Sequence, residues 1–395
     1  MLEHLFTIGS VIAATTVVLL ARTYRGILFS RFATAILTVH TLSSVALFDH
    51  VGRWWPLFVY LQLATYVHFG TLVWARLRPL PWRLLVSIPA HAFSASIFFA
   101  VPWAIAAAIG FEPKGLIVPF VLGLLGLVEA FLPRQRDVHV DLSEQRPATS
   151  SMIRARTSKG ASERPLRIVQ ITDPHLGPFM SASRLARICE RAVERDPDLV
   201  LLTGDFITME SQRSADPLAE AFAPLAKLDG RVFACLGNHD YEALAVVKEG
   251  LSRANIRLLV DEEATVQTEA GAVQVVGVDF VWRERRAHLA SLFARIPRRD
   301  DHVRVVLLHD PGAFAALPQD EGDLVLSGHT HGGQLGLVTF GLPITVLSLF
   351  TQIPDHGLWA RGRDRLYVHR GTGHYGFPLR VGVPREESLL HVHRG

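Results

Sequence analysis

The chain has 395 residues, too many for one compact core, so at least two domains are expected. Charged residues make up only 19%, the formal net charge is +3, and no dense Lys/Arg run occurs, which argues against a nucleic-acid-binding protein. The two cysteines, Cys189 and Cys235, sit in apolar surroundings with no CxxC, so a disulfide framework is not expected and a reducing compartment fits.

Residues 1–133 are apolar almost throughout, in runs at 5–21, 27–48, 54–75, 84–110 and 115–132. These approach the roughly 20 apolar residues that cross a bilayer. Five transmembrane helices are expected, the fourth kinked at Pro102, with four or six as alternatives. The first run carries Glu3 and His4, lacks Lys and Arg before it, and reads as a retained span rather than a signal peptide. Arginines concentrate in alternate breaks (Arg22 and Arg25; Arg76, Arg78 and Arg83; Arg134 and Arg136), whereas the others hold only Arg53 and Lys114. By the positive-inside rule, the chain is a multi-pass protein of the cell membrane whose C-terminal half lies in the cytosol. Trp54, Trp55, Trp82 and Trp103 read as interfacial anchors, and His40, His68 and His91 as neutral groups hydrogen-bonded within the bundle. Residues 134–164 are polar with little periodicity apart from a short candidate strand at 138–142, and read as a linker or the leading edge of the C-terminal domain.

From residue 165 to 395 short β-branched runs alternate with amphipathic stretches. Strands are expected at 167–172, 198–203, 232–236, 273–278, 303–308, 323–327, 365–369 and 389–392, with helices at 183–194, 216–227 and 241–254. This is an α/β or layered α+β domain. His391 and His393 alternate with Leu390 and Val392 and read as the solvent face of a last strand.

Five of these strands end in metal-ligand residue types: Asp173-Pro174-His175, Gly204-Asp205, Gly237-Asn238-His239-Asp240, His309-Asp310 and Gly328-His329-Thr330-His331. Groups at the carboxyl ends of strands converge in space. Asp, His and Asn offer oxygen and nitrogen donors that suit Mn, Fe or Zn. Asp173, His175, Asp205, Asn238, His309, His329 and His331 are too many for one tetrahedral ion and suit two divalent ions sharing a carboxylate.

This ordered set resembles the calcineurin-like metallophosphoesterases over about residues 165–395. Gly328 through Gln334, Arg370 through Gly373 and Pro378 through Arg380 resemble its membrane-associated bacterial branch. The resemblance implies a four-layer fold, a β-sandwich flanked by helices, around a dinuclear centre. Asp173, His175, Asp205 and His331 would hold one ion; Asp205 would bridge to a second held by Asn238, His309 and His329. His239 resembles the catalytic histidine, positioned by Asp240. Arg370, His374, Tyr375 and Arg380 are candidates for the substrate phosphate or head group. Pro174, Asp310 and the pair His374-Tyr375 depart from the usual pattern.

The activity implied is hydrolysis of a phosphodiester or pyrophosphate bond, with a phosphorylated membrane lipid as the favoured substrate because the chain is tethered to the bilayer. Soluble nucleotides or small phosphoesters, an inactive membrane sensor or scaffold, and a transporter with a regulatory domain are the alternatives.

Overall fold

The computed structural model describes residues 1–143, 152–155, 157–158, 160, 164–377 and 379–394, so Pro378 of the branch motif lies outside the described residues. The chain divides into two compact units. One comprises Met1–Phe131 with Gly177–Phe179 and Tyr375–Val381; the other comprises Leu132–Leu176, Met180–His374 and Gly382–Gly395.

The first unit is helical. Leu2–Tyr24, Ile27–His50 and Leu80–Phe99 are long and apolar enough to cross a membrane. Trp55–Thr71 and Ile117–Phe131 are shorter, at 17 and 15 residues. The fourth expected run is divided: the helix ends at Phe99 and a new one, Val101–Ala108, begins with Pro102 in its first turn, where the missing N–H is harmless. Several polar side chains turn inward and pair with one another. His40 Nε2 lies 3.0 Å from Gln62 Oε1, Gln62 Nε2 donates to Ser44 Oγ at 2.8 Å, and Thr41 meets Tyr66 Oη at 2.7 Å. Within this unit Phe377 packs on Phe98, and Arg83 Nε donates to the Pro178 carbonyl at 2.9 Å.

The second unit is built on two sheets. Its strands are β1 Arg134–Asp141, β2 Ile153–Arg154, β3 Leu166–Ile171, β4 Leu199–Thr203, β5 Val232–Cys235, β6 Arg257–Leu258, β7 Glu262–Thr268, β8 Gly271–Gly277, β9 Val303–Leu307, β10 Leu324–Ser327, β11 Gly357–Arg361, β12 Asp364–Val368 and β13 Glu386–His393. One sheet runs β1-β13-β3-β4-β5-β6 and the other β2-β11-β12-β10-β9-β8-β7. β3, β4 and β5 are mutually parallel, as are β9 and β10. The stretch 134–164 thus contributes β1, paired with β13, and β2, paired with β11.

Alternation sorts the side chains by face. Ile168, Leu199 and Leu201 from the first sheet join Val273, Val305 and Leu326 from the second in one buried cluster. Val169, Val200 and Leu202 face the other way, into a cluster with three helices. The helix Ala182–Glu194 shows why: Leu185, Ile188, Cys189 and Ala192 recur at helical spacing and are buried, and Ser181 caps it by accepting from Arg184 N. Val276, Val306 and Val325 of the second sheet pack on Leu289 and Leu292 of the helix Arg285–Arg295. Cys189 and Cys235 are buried free thiols.

Candidate metal centre

Each candidate ligand follows the end of a parallel strand. Asp173 and His175 follow β3, Asp205 follows β4, Asn238 follows β5, His309 follows β9, and His329 and His331 follow β10. Parallel neighbours carry their carboxyl ends to one edge. Cross-sheet bonds join the two edges there: His309 Nδ1 lies 2.6 Å from the Thr203 carbonyl, Gln170 Nε2 donates to Ser327 O at 3.0 Å, and His329 N donates to Asp173 at 3.1 Å.

The backbone leaves each strand abruptly. Asp173, His175, Asp205, His329 and His331 all have φ between 47° and 67°, a region that non-glycine residues rarely occupy and that recurs at functional sites. Gly204 turns at φ 86°, and a Cβ there would come within 2.3 Å of Gly237 N. A Cβ on Gly237 would lie 2.2 Å from Asp205 Oδ1. Only glycines let these two loops meet.

The donors form two groups. Asp173, His175 and His331 bring ligand atoms within 4.8 Å of one another, and so do Asp205, His309 and His329. Asp205 Oδ2 belongs to the second group, 3.3 Å from His309 Nε2, yet lies 3.7 Å from His175 Nε2 of the first. Asn238 adds a buried Oδ1 that makes no hydrogen bond, as does His309 Nε2. Both His175 and His309 turn Nδ1 toward a backbone carbonyl, at Ile207 and Thr203, which points Nε2 inward.

The electrostatics call for positive charge. Burial pushes Asp173 up to about 6, and the neighbouring Asp205 charge adds to this. Burial drives His175 down to about 3 and His329 down to about 4. Burial acts the same way on His309, but the Asp205 carboxylate outweighs it and raises the imidazole to about 10. Two buried carboxylates, with nitrogen lone pairs and an amide oxygen aimed between them, fit divalent cations held by N and O donors.

His239 stands at the rim, three-quarters buried, with its backbone N–H donating to Asp205 Oδ1 at 2.9 Å. Its expected partner was Asp240. The structure corrects this: Nδ1 lies 2.7 Å from Glu242 Oε1, one helical turn on. Burial lowers the His239 pKa, but the hydrogen bond to Glu242 together with the Asp205 and Glu242 charges outweighs it and the net shift is upward. Asp240 is fully buried and accepts from the N–H groups of Asp205, Phe206 and Gly237, each at 2.8 Å, so it fixes the two ligand loops against each other. Adjacent residues on this tight turn point apart, whereas positions i and i+3 share a face.

Arg370 is held by an ion pair. It is 3% exposed, and its Nε donates to Glu386 Oε2 at 2.6 Å, neutralising a carboxylate in β13 rather than lining a surface loop. His374 and Arg380 are 2% and 0% exposed; Tyr375 is half-buried. Tyr375 and Arg380 lie in the stretch that groups with the helical unit. Gly373 N instead pairs with the Asp173 carbonyl at 3.0 Å and braces the first ligand loop. Asp310 plays a structural part, capping the turn Pro311–Ala316 through Gly312 N and pairing with Arg285. Residues 280–282 carried no sequence signal, yet the Phe280 ring stands 6.0 Å from His309 and 6.2 Å from His329, with Trp282 edge-on to it. His391 and His393 stack on His139 of β1, so β13 is an inner strand and His393 is buried.

A model of the calcineurin-like phosphoesterase family matches residues 166–333. Phosphodiesterase YaeI of Escherichia coli (strain K12) is 30% identical over 237 residues, 58% of this chain and 82% of that protein. An uncharacterized metallophosphoesterase of Helicobacter pylori (strain J99) is 28% identical over 237 residues, 58% of this chain and 60% of its own. A Danio rerio transmembrane protein with metallophosphoesterase domain is 30% identical over 294 residues, 69% of this chain and 60% of its own, so the chain spans less than two thirds of the latter two relatives. The family uses divalent metal ions, and the donors converging at the strand ends form two candidate metal-binding groups. The chain belongs to the calcineurin-like phosphoesterases and is a metal-dependent hydrolase of phosphoesters.

Proposed function

We propose that the protein is a membrane-anchored phosphoesterase with a dinuclear centre, hydrolysing a phosphodiester or pyrophosphate bond in a phosphorylated membrane lipid. Asp205 carries the dinuclear reading, because its carboxylate lies within 3.3–3.7 Å of a histidine from each donor group. Asp173, His175 and His331 would hold one ion, Asn238, His309 and His329 the other, and Asp205 both. Mn, Fe and Zn all suit these donors. A bound pair of divalent ions supplies an acidified water and charge neutralisation at phosphorus.

The remaining steps fall to the chain. His239, its ring oriented by Glu242, would donate a proton to the leaving oxygen. Asp240 holds the Asp205 and Gly237 loops in place. Phe280 and Trp282 present an apolar wall beside His309 and His329. Tyr375, with partial exposure, remains a candidate for the head group.

The lipid reading rests on the apolar helices carried by the same chain. A tether raises the effective concentration of the hydrolase toward substrates in the adjoining leaflet. Five spans across 1–133, a connecting stretch 134–164, a four-layer phosphoesterase domain over 165–395 and a cytosolic catalytic face belong to the same proposal. The alternating arginines support the orientation, and the three buried clusters support the layering.

Lipid extracts incubated with Mn²⁺ and either wild-type protein or Asp205→Asn provide the test. The wild type should deplete one phosphorylated lipid that the variant leaves intact, and the variant should lose metal by elemental analysis. Identical lipid profiles alongside turnover of soluble nucleotides would replace the lipid reading with the soluble-substrate one.

A further inference from the structure

The second unit exposes an apolar excursion that catalysis does not use. Residues 332–354 contain no Asp, Glu, Lys, Arg or His. Phe340, Leu342, Ile344, Leu349, Phe350 and Ile353 are all exposed, with Phe350 at 82%, Phe340 at 75% and Leu349 at 67%. Soluble surfaces rarely gather large apolar side chains so densely.

The excursion has a defined neck. Leu337 N donates to Ile344 O and Val346 N to Leu335 O, both at 2.8 Å, across a bridge between Gly336 and Thr345. Thr345 and Ser348 form a reciprocal cap on the helix Val346–Phe350. Thr345 Oγ1 also donates to Asp355, a fully buried carboxylate that pairs with Arg154 at 2.8 Å. Hydrogen bonds hold the neck, while the tips are apolar and bare. Within the helix, Val346, Leu349 and Phe350 fall at i, i+3 and i+4 and present one exposed face.

We infer that the segment 332–354 is a lipid-docking loop that inserts its apolar tips into the bilayer surface. The inference rests on the membrane-anchored reading above. A protein-binding patch would carry a charged or polar rim and favour arginine; this segment has no charge along its length, so entering the acyl region strips water from no ion. Thr339 N donates to Gly382 O at 2.9 Å, which ties the loop back to its own unit. The loop also begins at Gly332, immediately after the candidate ligand His331, so seating it in lipid would settle one edge of the metal centre.

Both native thiols are buried, so a cysteine placed at 350 is the one that reacts. Full-length Phe350→Cys is labelled with a nitroxide and reconstituted in vesicles of phosphatidylethanolamine and phosphatidylglycerol. Collisions with oxygen, which partitions into lipid, are compared with those of a water-soluble nickel complex. The label at 350 should favour oxygen, and a label at Lys248→Cys, on an exposed helix of the same unit, should favour nickel. Nickel preference at 350 overturns the proposal. Protection from both reagents also overturns it, because a protein surface then covers the loop. In a second arm, the double variant Leu349→Asp/Phe350→Asp should keep its turnover of a soluble nitrophenyl phosphodiester. Its turnover of a phosphoester borne on vesicles should fall about tenfold or more. A label in lipid, together with wild-type protein that cleaves no vesicle-borne phosphoester, would sink the lipid-substrate reading and leave the docking loop standing.

Discussion

Replacing Arg370 with leucine separates a structural arginine from a substrate-binding one. Glu386 is 1% exposed and receives Arg370 Nε at 2.6 Å and Tyr367 Oη at 2.7 Å. Removing the guanidinium strands a buried carboxylate, which typically costs about 3–5 kcal/mol. Arg136 lies 3.6 Å from the same carboxylate but is 41% exposed, so it offsets a little of the loss and the expected value is about 3 kcal/mol. For a unit of this size each kcal/mol moves Tm by roughly 2–4 °C, giving a drop of at least about 6 °C.

The pH dependence carries a sign. Burial alone would raise the Glu386 pKa; Arg370, followed by His369 and Arg136, outweighs it and holds the group well below the usual carboxylate range. Its contribution is therefore present above the unfolded value of about 4.3 and is lost as pH falls through the lower folded value. In Arg370→Leu burial wins, the folded pKa rises, and Glu386 takes up a proton on acidification. The gap in Tm between the two proteins should therefore narrow below about pH 5. Thermal unfolding of the full chain in detergent across that range measures this. KM per folded enzyme should stay near wild type. An unchanged Tm with a raised KM would return Arg370 to the substrate and refute the argument.

His239→Ala should slow turnover about 10²–10⁴-fold while retaining wild-type metal content by elemental analysis; metal loss would make His239 a ligand. Glu242→Gln should slow turnover about tenfold and have no further effect in the His239→Ala background, since it acts through that ring. Gly237→Ala places a methyl 2.2 Å from Asp205 Oδ1 and should lower metal occupancy with a rate loss of about 10–100-fold; full occupancy would show that the two loops can part.

The strands that hold the centre were legible because they are buried on both faces. β3, β4, β5, β9 and β10 read as β-branched runs ending in Asp, His or Asn, and all eight expected strands are present. The edge strands were less so, and only the end of β1, at 138–142, reads as a strand. β7, Glu262–Thr268, mixes charged and small residues, and β1 has no apolar periodicity until Val138. The Asp240 assignment failed because adjacency in sequence is a poor guide to facing side chains on a helical turn, where Glu242 is the neighbour. The partner of Arg370, Glu386, lies 16 residues away on another strand, a pairing that only tertiary structure creates. Apolar composition marked the N-terminal third, but it could not say that two of its helices stop at 17 and 15 residues.

The left-handed backbone at Asp173, His175, Asp205, His329 and His331 has an evolutionary consequence. Each such residue costs on the order of 1 kcal/mol that glycine would largely avoid. Selection for catalysis alone keeps the bulkier side chains there, against a stability gradient that points steadily toward glycine. A descendant freed from that selection should erode at these five turns before it erodes in the strands beneath them. Ancestral reconstruction or mutational drift without a metal requirement would record the loss of function as glycines accumulating at five defined corners, with Tm rising as activity disappears.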